Sequence, residues 1–364
     1  MQSSGLKQIV IFISSALLFA ISYFTLITIV CFFIKIPIFA NTEIWLKDMY
    51  KIKDMINDKP TTKQRLIVIS GSNSLFGLNG AMIEANTQFR FINYATHASL
   101  PINYHIDKII AKAHNGDIII LPLEFNYYSN NAPTKEYWYI ENMLSWGNGY
   151  YKYIDIIDVV LALLHNNPIQ TLSQLIHFIK YTSYQSNQSN IQANMEKIVN
   201  QEMIISQNPS MGEEVITLPC QAAEWAGYNY KSSSPNGDFC SQENSKPFYT
   251  EYAYLDTQLE VSSFFLSEYK RLKDFADSKN IKIFLFYPVT MENSLFSLTD
   301  IKTFQKIENL TSQLATHHIN IYGDFRDSHF NSQYFFDTSY HLNNKGVNVR
   351  TSIFIKQLLQ LPIH

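Results

Sequence analysis

The longest unbroken apolar run lies near the N-terminus. From Ile9 to Ile34 the chain reads IVIFISSALLFAISYFTLITIVCFFI, 26 residues without a charge, whereas about 20 residues at 1.5 Å rise each suffice to cross hydrocarbon. The pattern predicts a transmembrane helix over 9–34 behind a short tail, 1–8. A cleaved signal peptide would have an apolar stretch of about 7–15 residues and a small-x-small site, and Ile38 to Ala40 matches such a site poorly. Residues 35–63 are polar and mixed in charge, as suits a juxtamembrane stalk or short helix. The pattern then changes to short β-branched runs, RLIVIS at 65–70, FINYA at 91–95 and DIIILPLE at 117–124. Between the last two, Pro101 opens a helical segment with Ile102, Ile106, Ile109 and Ile110 on one face, which stops near Asn115-Gly116. The alternation resumes with KIFLFYP at 282–288, a helix near 299–316, INIYG at 319–323 and a last helix near 344–360. It predicts an α/β domain over 64–364 whose parallel sheet is covered by helices on both faces. An aromatic, Asn-rich and partly helical insertion, about 125–250, interrupts it after the third strand; DIIDVVLALL near 155–164 and TLSQLIHFIKY near 171–181 are its helical parts.

Composition narrows the function classes. Lys plus Arg is 28 against 31 for Asp plus Glu, without the basic excess that binding a phosphate backbone requires, so nucleic acid is not an expected partner. The cysteines bear on compartment. Cys31 lies in the apolar run, and Cys220 and Cys240 stand 20 residues apart in a Pro, Gly, Ser and Asn-rich stretch, as in a loop closed by a disulfide; two unpaired thiols are the alternative. Flanking charge favours the opposite orientation, with Lys7 on one side and Lys35, Lys47, Lys51 and Lys53 on the other. Long domains, however, cross largely regardless of such charges. Together with the cysteines this argues for a cytoplasmic N-terminus and a domain outside the membrane, periplasmic or extracellular.

Two stretches carry the candidate chemistry. SGSNSLFGLNG at 70–80 follows the first strand, where a tight Gly turn can lift a serine hydroxyl above the sheet with backbone N–H groups facing the same spot. Near the C-terminus, YFFDTSYHLNNKG at 334–346 sets Asp337 four residues before His341; an imidazole can take a hydroxyl proton when a carboxylate orients it. His97 follows the second strand and is a further pocket candidate, whereas His317 and His318 sit at a predicted helix end and His364 is terminal. No metal is expected, since HExxH and clustered ligands at metal spacing do not occur, and neither GxxxxGK[ST] nor GxGxxG is present to cradle a nucleotide. No cofactor is therefore expected.

The ordered set resembles the SGNH (GDSL-like) hydrolase superfamily in four blocks: SGSNSLFG, INYATHA, GDIIILPLEFNYY and DTSYHLNNKG. The resemblance implies a flavodoxin-like three-layer sandwich of strand order 2-1-3-4-5, with the site at the carboxyl edge of the sheet. It implies Ser72 as nucleophile, with Ser74 as the alternative, His341 as base and Asp337 as its orienting carboxylate. The family's oxyanion hole would here use the N–H groups of Ser72 and of Ala95, which replaces the usual Gly, and the side chain of Asn126, with Asn73 and Asn93 as alternatives. The family's Asp usually precedes its His by three residues, so Asp327 and Asp324 are alternative carboxylates. Membrane-anchored members, similar to the proteins of D-alanyl-lipoteichoic acid transfer and alginate O-acetylation, imply an acyl esterase or O-acyltransferase acting on envelope polysaccharide beside a polytopic acyltransferase. A lipid esterase and a catalytically inactive scaffold partnering that enzyme are the alternatives.

Overall fold

The computed structural model describes residues 2–29, 42–131, 136–147, 149, 152–165, 169, 173, 188–201, 215–216, 225–239 and 251–363. Its contacts divide the chain into two units, one of Met1–Lys47 with Lys135–Gln188 and one of Asp48–Thr134 with Ser189–His364. Part of the expected insertion thus groups with the N-terminal segment and the rest with the sheet.

In the first unit, helix α1 (Gln2–Ile29) contains a window, Gly5–Leu26, with mean hydropathy 2.3 and no part of it buried. It is long and apolar enough to span a membrane. The helix begins seven residues before the expected start, because the short polar tail is helical too; residues 30–34 lie outside the described residues. Cys31, Cys220 and Cys240 also lie outside them, and with them the expected disulfide; so do His364 and nearly all of the expected helix over 171–181.

The second unit holds a five-stranded sheet of order β2-β1-β3-β4-β6, every neighbouring pair parallel. Its strands are β1 (Arg65–Val68), β2 (Arg90–Asn93), β3 (Ile118–Leu121), β4 (Lys282–Phe286) and β6 (Ile321–Tyr322). The order departs from the expected 2-1-3-4-5 at its edge. The fifth strand in the chain, β5 (Thr290–Met291), leaves the sheet and pairs instead with β7 (His329–Phe330), so the sixth strand takes the edge position. Only two residues of INIYG pair there.

Helix α2 (Ile44–Asn57) occupies much of the expected stalk, and its residues in this unit bury Met49, Ile52, Lys53 and Ile56, so that stretch is packed structure. After β1 come the short helix α3 (Ser72–Leu75) and α4 (Gly80–Asn86), after β2 comes α5 (Ile102–Ile110), and after β3 comes α6 (Asn126–Ser129). In the first unit α7 (Tyr137–Trp146) packs on α8 (Ile156–His165); α9 (Gln188–Asn200) begins at that unit's last residue and otherwise belongs to the second. Back in the second unit, α10 (Ser263–Ser278), α11 (Ile301–Thr316) and α12 (Asn344–Leu359) complete the described helices.

Period-two alternation sorts the strand side chains. Leu66 and Val68, Phe91, Ile118 and Ile120, and Phe284 and Phe286 meet Met82 and Ile83 of α4 and Phe354, Ile355 and Leu358 of α12 in one buried cluster. No residue of α5 or α10 enters it; those helices pack on each other, and α10 packs on β4. The continuous apolar strands are what two covered faces demand.

At the amino edge, Arg65 forks onto Asp117, Nε to Oδ1 at 2.9 Å and Nη2 to Oδ2 at 2.7 Å, with both side chains buried. The pair ties the start of β1 to that of β3. Arg65→Ala would leave Asp117 buried without its cation, and we expect it to cost about 3–5 kcal/mol, read as a lowered thermal midpoint. The double variant Arg65→Met/Asp117→Leu should recover most of the loss.

Candidate functional site

The serine turn is held from below by a carboxylate that the sequence reading did not single out. Glu124, fully buried three residues past β3, accepts the Gly71 N–H on one oxygen and the Asn73 N–H on the other, both at 3.0 Å. Those donors flank Ser72, whose own N–H donates to no group among the described residues. Gly71 has no room for a side chain: a Cβ there would lie 2.5 Å from both Ala98 Cα and Glu124 Oε1. Gly77 is required for a related reason, since a Cβ would run into the Asn73 carbonyl and the Arg350 guanidinium.

Arg350 of α12 completes the support. Buried, it donates to the Asn73 carbonyl at 2.7 Å and to Asn73 Oδ1 at 3.0 Å, while Asn73 Nδ2 donates to the Pro122 carbonyl at 2.8 Å. Asn73 is wholly buried in holding the turn, and each of its polar atoms already makes a hydrogen bond. Burial pushes the Glu124 carboxyl up, partly offset by the hydrogen bonds it accepts. Burial likewise lowers Arg350 to about 9, with the Glu124 charge opposing. Positive charge thus stands close to the buried carboxylate beneath the turn.

Of the two serines, Ser74 is wholly buried and its hydroxyl donates to Asn73 Oδ1 at 3.3 Å, whereas Ser72 is partly exposed. Asn93 is spent as Asn73 is. Its Nδ2 donates to the Ser74 carbonyl at 2.8 Å, its Oδ1 accepts the Ala95 N–H at 3.0 Å, its N–H donates to the Asn236 carbonyl, and its own carbonyl accepts Lys53 Nζ at 2.7 Å. The Ala95 N–H expected in the oxyanion hole is therefore already donated to Asn93. Asn126, at the start of α6, is exposed and its side chain makes no hydrogen bond among the described residues.

The C-terminal stretch forms a closed loop. The Phe336 N–H donates to the His341 carbonyl at 2.8 Å, and Phe335 bridges Leu342. The Asn343 side chain then caps α12 through the Gly346 N–H at 3.0 Å. Folding the chain back in this way sets Asp337 beside His341 despite the four-residue gap: Asp337 Oδ1 lies 2.8 Å from His341 Nδ1. Asp324 instead caps a 3-10 turn and pairs with Arg326, and Asp327 faces Gln357, so neither alternative carboxylate orients this ring. His317 ends α11 and His318 follows in the left-handed region, φ 59°.

One contact links the two stretches. The His341 ring stacks on Phe76, four residues beyond Ser72, at 4.1 Å between centroids and 19° between planes. No hydrogen bond joins Ser72 Oγ to His341 among the described residues. A second residue missed in the sequence completes the pair: Tyr228 OH donates to Asp337 Oδ2 at 2.5 Å and lies 3.3 Å from His341 Nδ1. Burial resists ionisation of Asp337, but the hydrogen bonds from His341 and Tyr228 and the nearby ring charge outweigh it and hold the carboxyl below its usual range. His97 lies near enough that charge on His341 adds to burial in lowering it to about 4. Among the described residues there is no group of His, Cys, Asp and Glu suited to a metal ion.

No family model matches the chain, and comparison with curated proteins and with solved structures returns no match.

Glu124→Gln keeps the volume of the side chain but turns one acceptor into a donor facing a backbone N–H. We expect it to cost about 1–3 kcal/mol, seen as a lower thermal midpoint. The pH dependence follows from His105, fully buried with Nε2 3.0 Å from Tyr127 OH and lowered by burial to about 4 from the ordinary 6.5. As pH falls from 6.5 toward 4 the unfolded chain binds a proton that the folded chain refuses. Stability is thus fully kept above that window and should drop by about 1.4 kcal/mol per pH unit within it. His105→Asn should flatten the denaturation profile by that share.

Proposed function

We propose that this chain is a membrane-anchored, SGNH-type acyl esterase or O-acyltransferase whose domain lies outside the membrane. The observation that carries the reading is the stacking of His341, already paired with Asp337, on the turn that bears Ser72. A hydroxyl near neutrality is a weak nucleophile unless an oriented base removes its proton. In the proposed reaction His341 accepts the Ser72 proton as Oγ attacks an ester carbonyl, and Asp337 stabilises the resulting imidazolium. The Ser72 N–H, which donates to no group among the described residues, and the Asn126 side chain are the proposed oxyanion donors. Collapse of the tetrahedral intermediate expels the alcohol, which takes the proton back from His341, and the acyl group then passes to water or to a sugar hydroxyl. Side-chain rotation must bring Ser72 Oγ and His341 into hydrogen-bond range; catalytic contacts often tighten only when substrate is bound.

The fold proposed with this reading is flavodoxin-like, the departing β5 being a local excursion, with the site at the carboxyl ends of the strands. The proposed setting is a single membrane pass with a cytoplasmic N-terminus, envelope polysaccharide as acceptor and a polytopic acyltransferase as donor partner. The engagement of the Ala95 N–H by Asn93 favours one rival, a scaffold that keeps the fold without the chemistry.

A fluorophosphonate probe separates the two. We expect it to label the intact protein, to fail on Ser72→Ala and to label Ser74→Ala as before. With p-nitrophenyl acetate, Asp337→Asn should lower turnover on the order of 10⁴-fold, as loss of an orienting carboxylate does elsewhere. Unchanged labelling of Ser72→Ala would overturn the nucleophile, and absence of labelling in the intact protein would favour the scaffold.

A further inference from the structure

In the unit that contains α1, helix α8 turns one face inward and leaves an apolar face outward. Val159 and Ala162 are buried, and buried Asp158 accepts the Asp155 N–H at 3.0 Å, so the helix's one carboxylate is occupied at its own first turn. Ile156, Ile157, Val160, Leu161 and Leu164 recur at helical spacing and are between 47% and 71% exposed. That face carries no Lys, Arg, Asp or Glu. At the helix end the His165 ring stacks flat on Tyr137 of α7 at 3.8 Å, which fixes α8 against its neighbour.

The same unit ties Glu43 and Trp45 to α7. Glu43 accepts Trp45 Nε1 at 2.8 Å and Trp138 Nε1 at 3.2 Å, and its N–H donates to Asn142 Oδ1, which also accepts Trp146 Nε1 at 2.7 Å. Three of the chain's four tryptophans are gathered here, and Trp is the residue that collects where hydrocarbon meets water.

We propose that the apolar face of α8 lies in the surface layer of the lipid bilayer that α1 crosses. The inference rests on α1 being in the membrane and is independent of acyl transfer. An aliphatic face of this extent has no favourable contact in water, and within this unit the chain that carries it also carries a helix whose whole apolar window is unburied. Helices that lie in a bilayer surface bury their apolar face about 5–10 Å into the boundary between headgroups and acyl chains. With no Lys or Arg on the face or elsewhere in the helix, the contact depends on apolar burial and needs no anionic lipid.

The test uses the full chain in nanodiscs of phosphatidylcholine. The photoreactive residue p-benzoylphenylalanine replaces Ile157 or Leu161, with Phe12 of α1 as the lipid-facing control and Lys273 of α10 as the solvent control, and mass spectrometry identifies the adducts. Lipid adducts are expected at 12, 157 and 161 and not at 273. Adducts at 12 with none at 157 and 161, or crosslinks there to a second copy or another protein, would overturn the α8 assignment alone. Absence of lipid adducts at all three positions would overturn it together with the membrane reading of α1.

Discussion

A single buried carboxylate decides the shape of the serine turn. Glu124 takes the N–H groups on either side of Ser72, and among the described residues the intervening residue's hydroxyl and its own N–H donate to no other group. An ionised group in such a place is costly unless hydrogen bonds and opposite charge compensate it. The backbone donors supply the first and Arg350 the second, and Arg350 reaches the site because α12 packs against α4 on the same face of the sheet. The turn is therefore built by long-range contacts and would not hold its form as an isolated peptide.

The same logic recurs at the neighbouring strand. Lys53 of α2 is buried with its ammonium on the carbonyls of Asn93 and Gly237, and Asp238 lies close enough to oppose the lowering of its pKa by burial. Through Asn93 this cation is one hydrogen bond removed from Ser74 and Ala95. Asparagine serves at both positions because one side chain offers donors and an acceptor at once, and here both the amide nitrogen and the amide oxygen are engaged.

Much of the scaffold was legible in the chain. Apolar runs such as RLIVIS and DIIILPLE read as strands of a sheet covered on both faces, and the sequence predicts helices from Pro101, near 299–316 and near 344–360, where α5, α11 and α12 lie, although α5 stops at Ile110, short of Asn115-Gly116. The departure of β5 was not legible, since two residues carry no periodic signal. The Asp337 and His341 pairing was legible as a spacing, although the loop closure that makes four residues suffice depends on Phe336 and Asn343. Glu124 stood in the quoted block, yet nothing local distinguishes a carboxylate that ends a strand from one in solvent. Arg350 and Tyr228 were out of reach for a plainer reason: each acts on a segment more than a hundred residues away.

Tyr228 belongs to the long excursion between β3 and β4, yet its hydroxyl shares the Asp337 carboxylate with His341. The excursion is thus more than an ornament on a finished scaffold, for it contributes a phenol to the proton inventory of the pair. A change in its length or path would therefore be felt at the Asp337 carboxylate, far along the chain, as well as in the excursion itself.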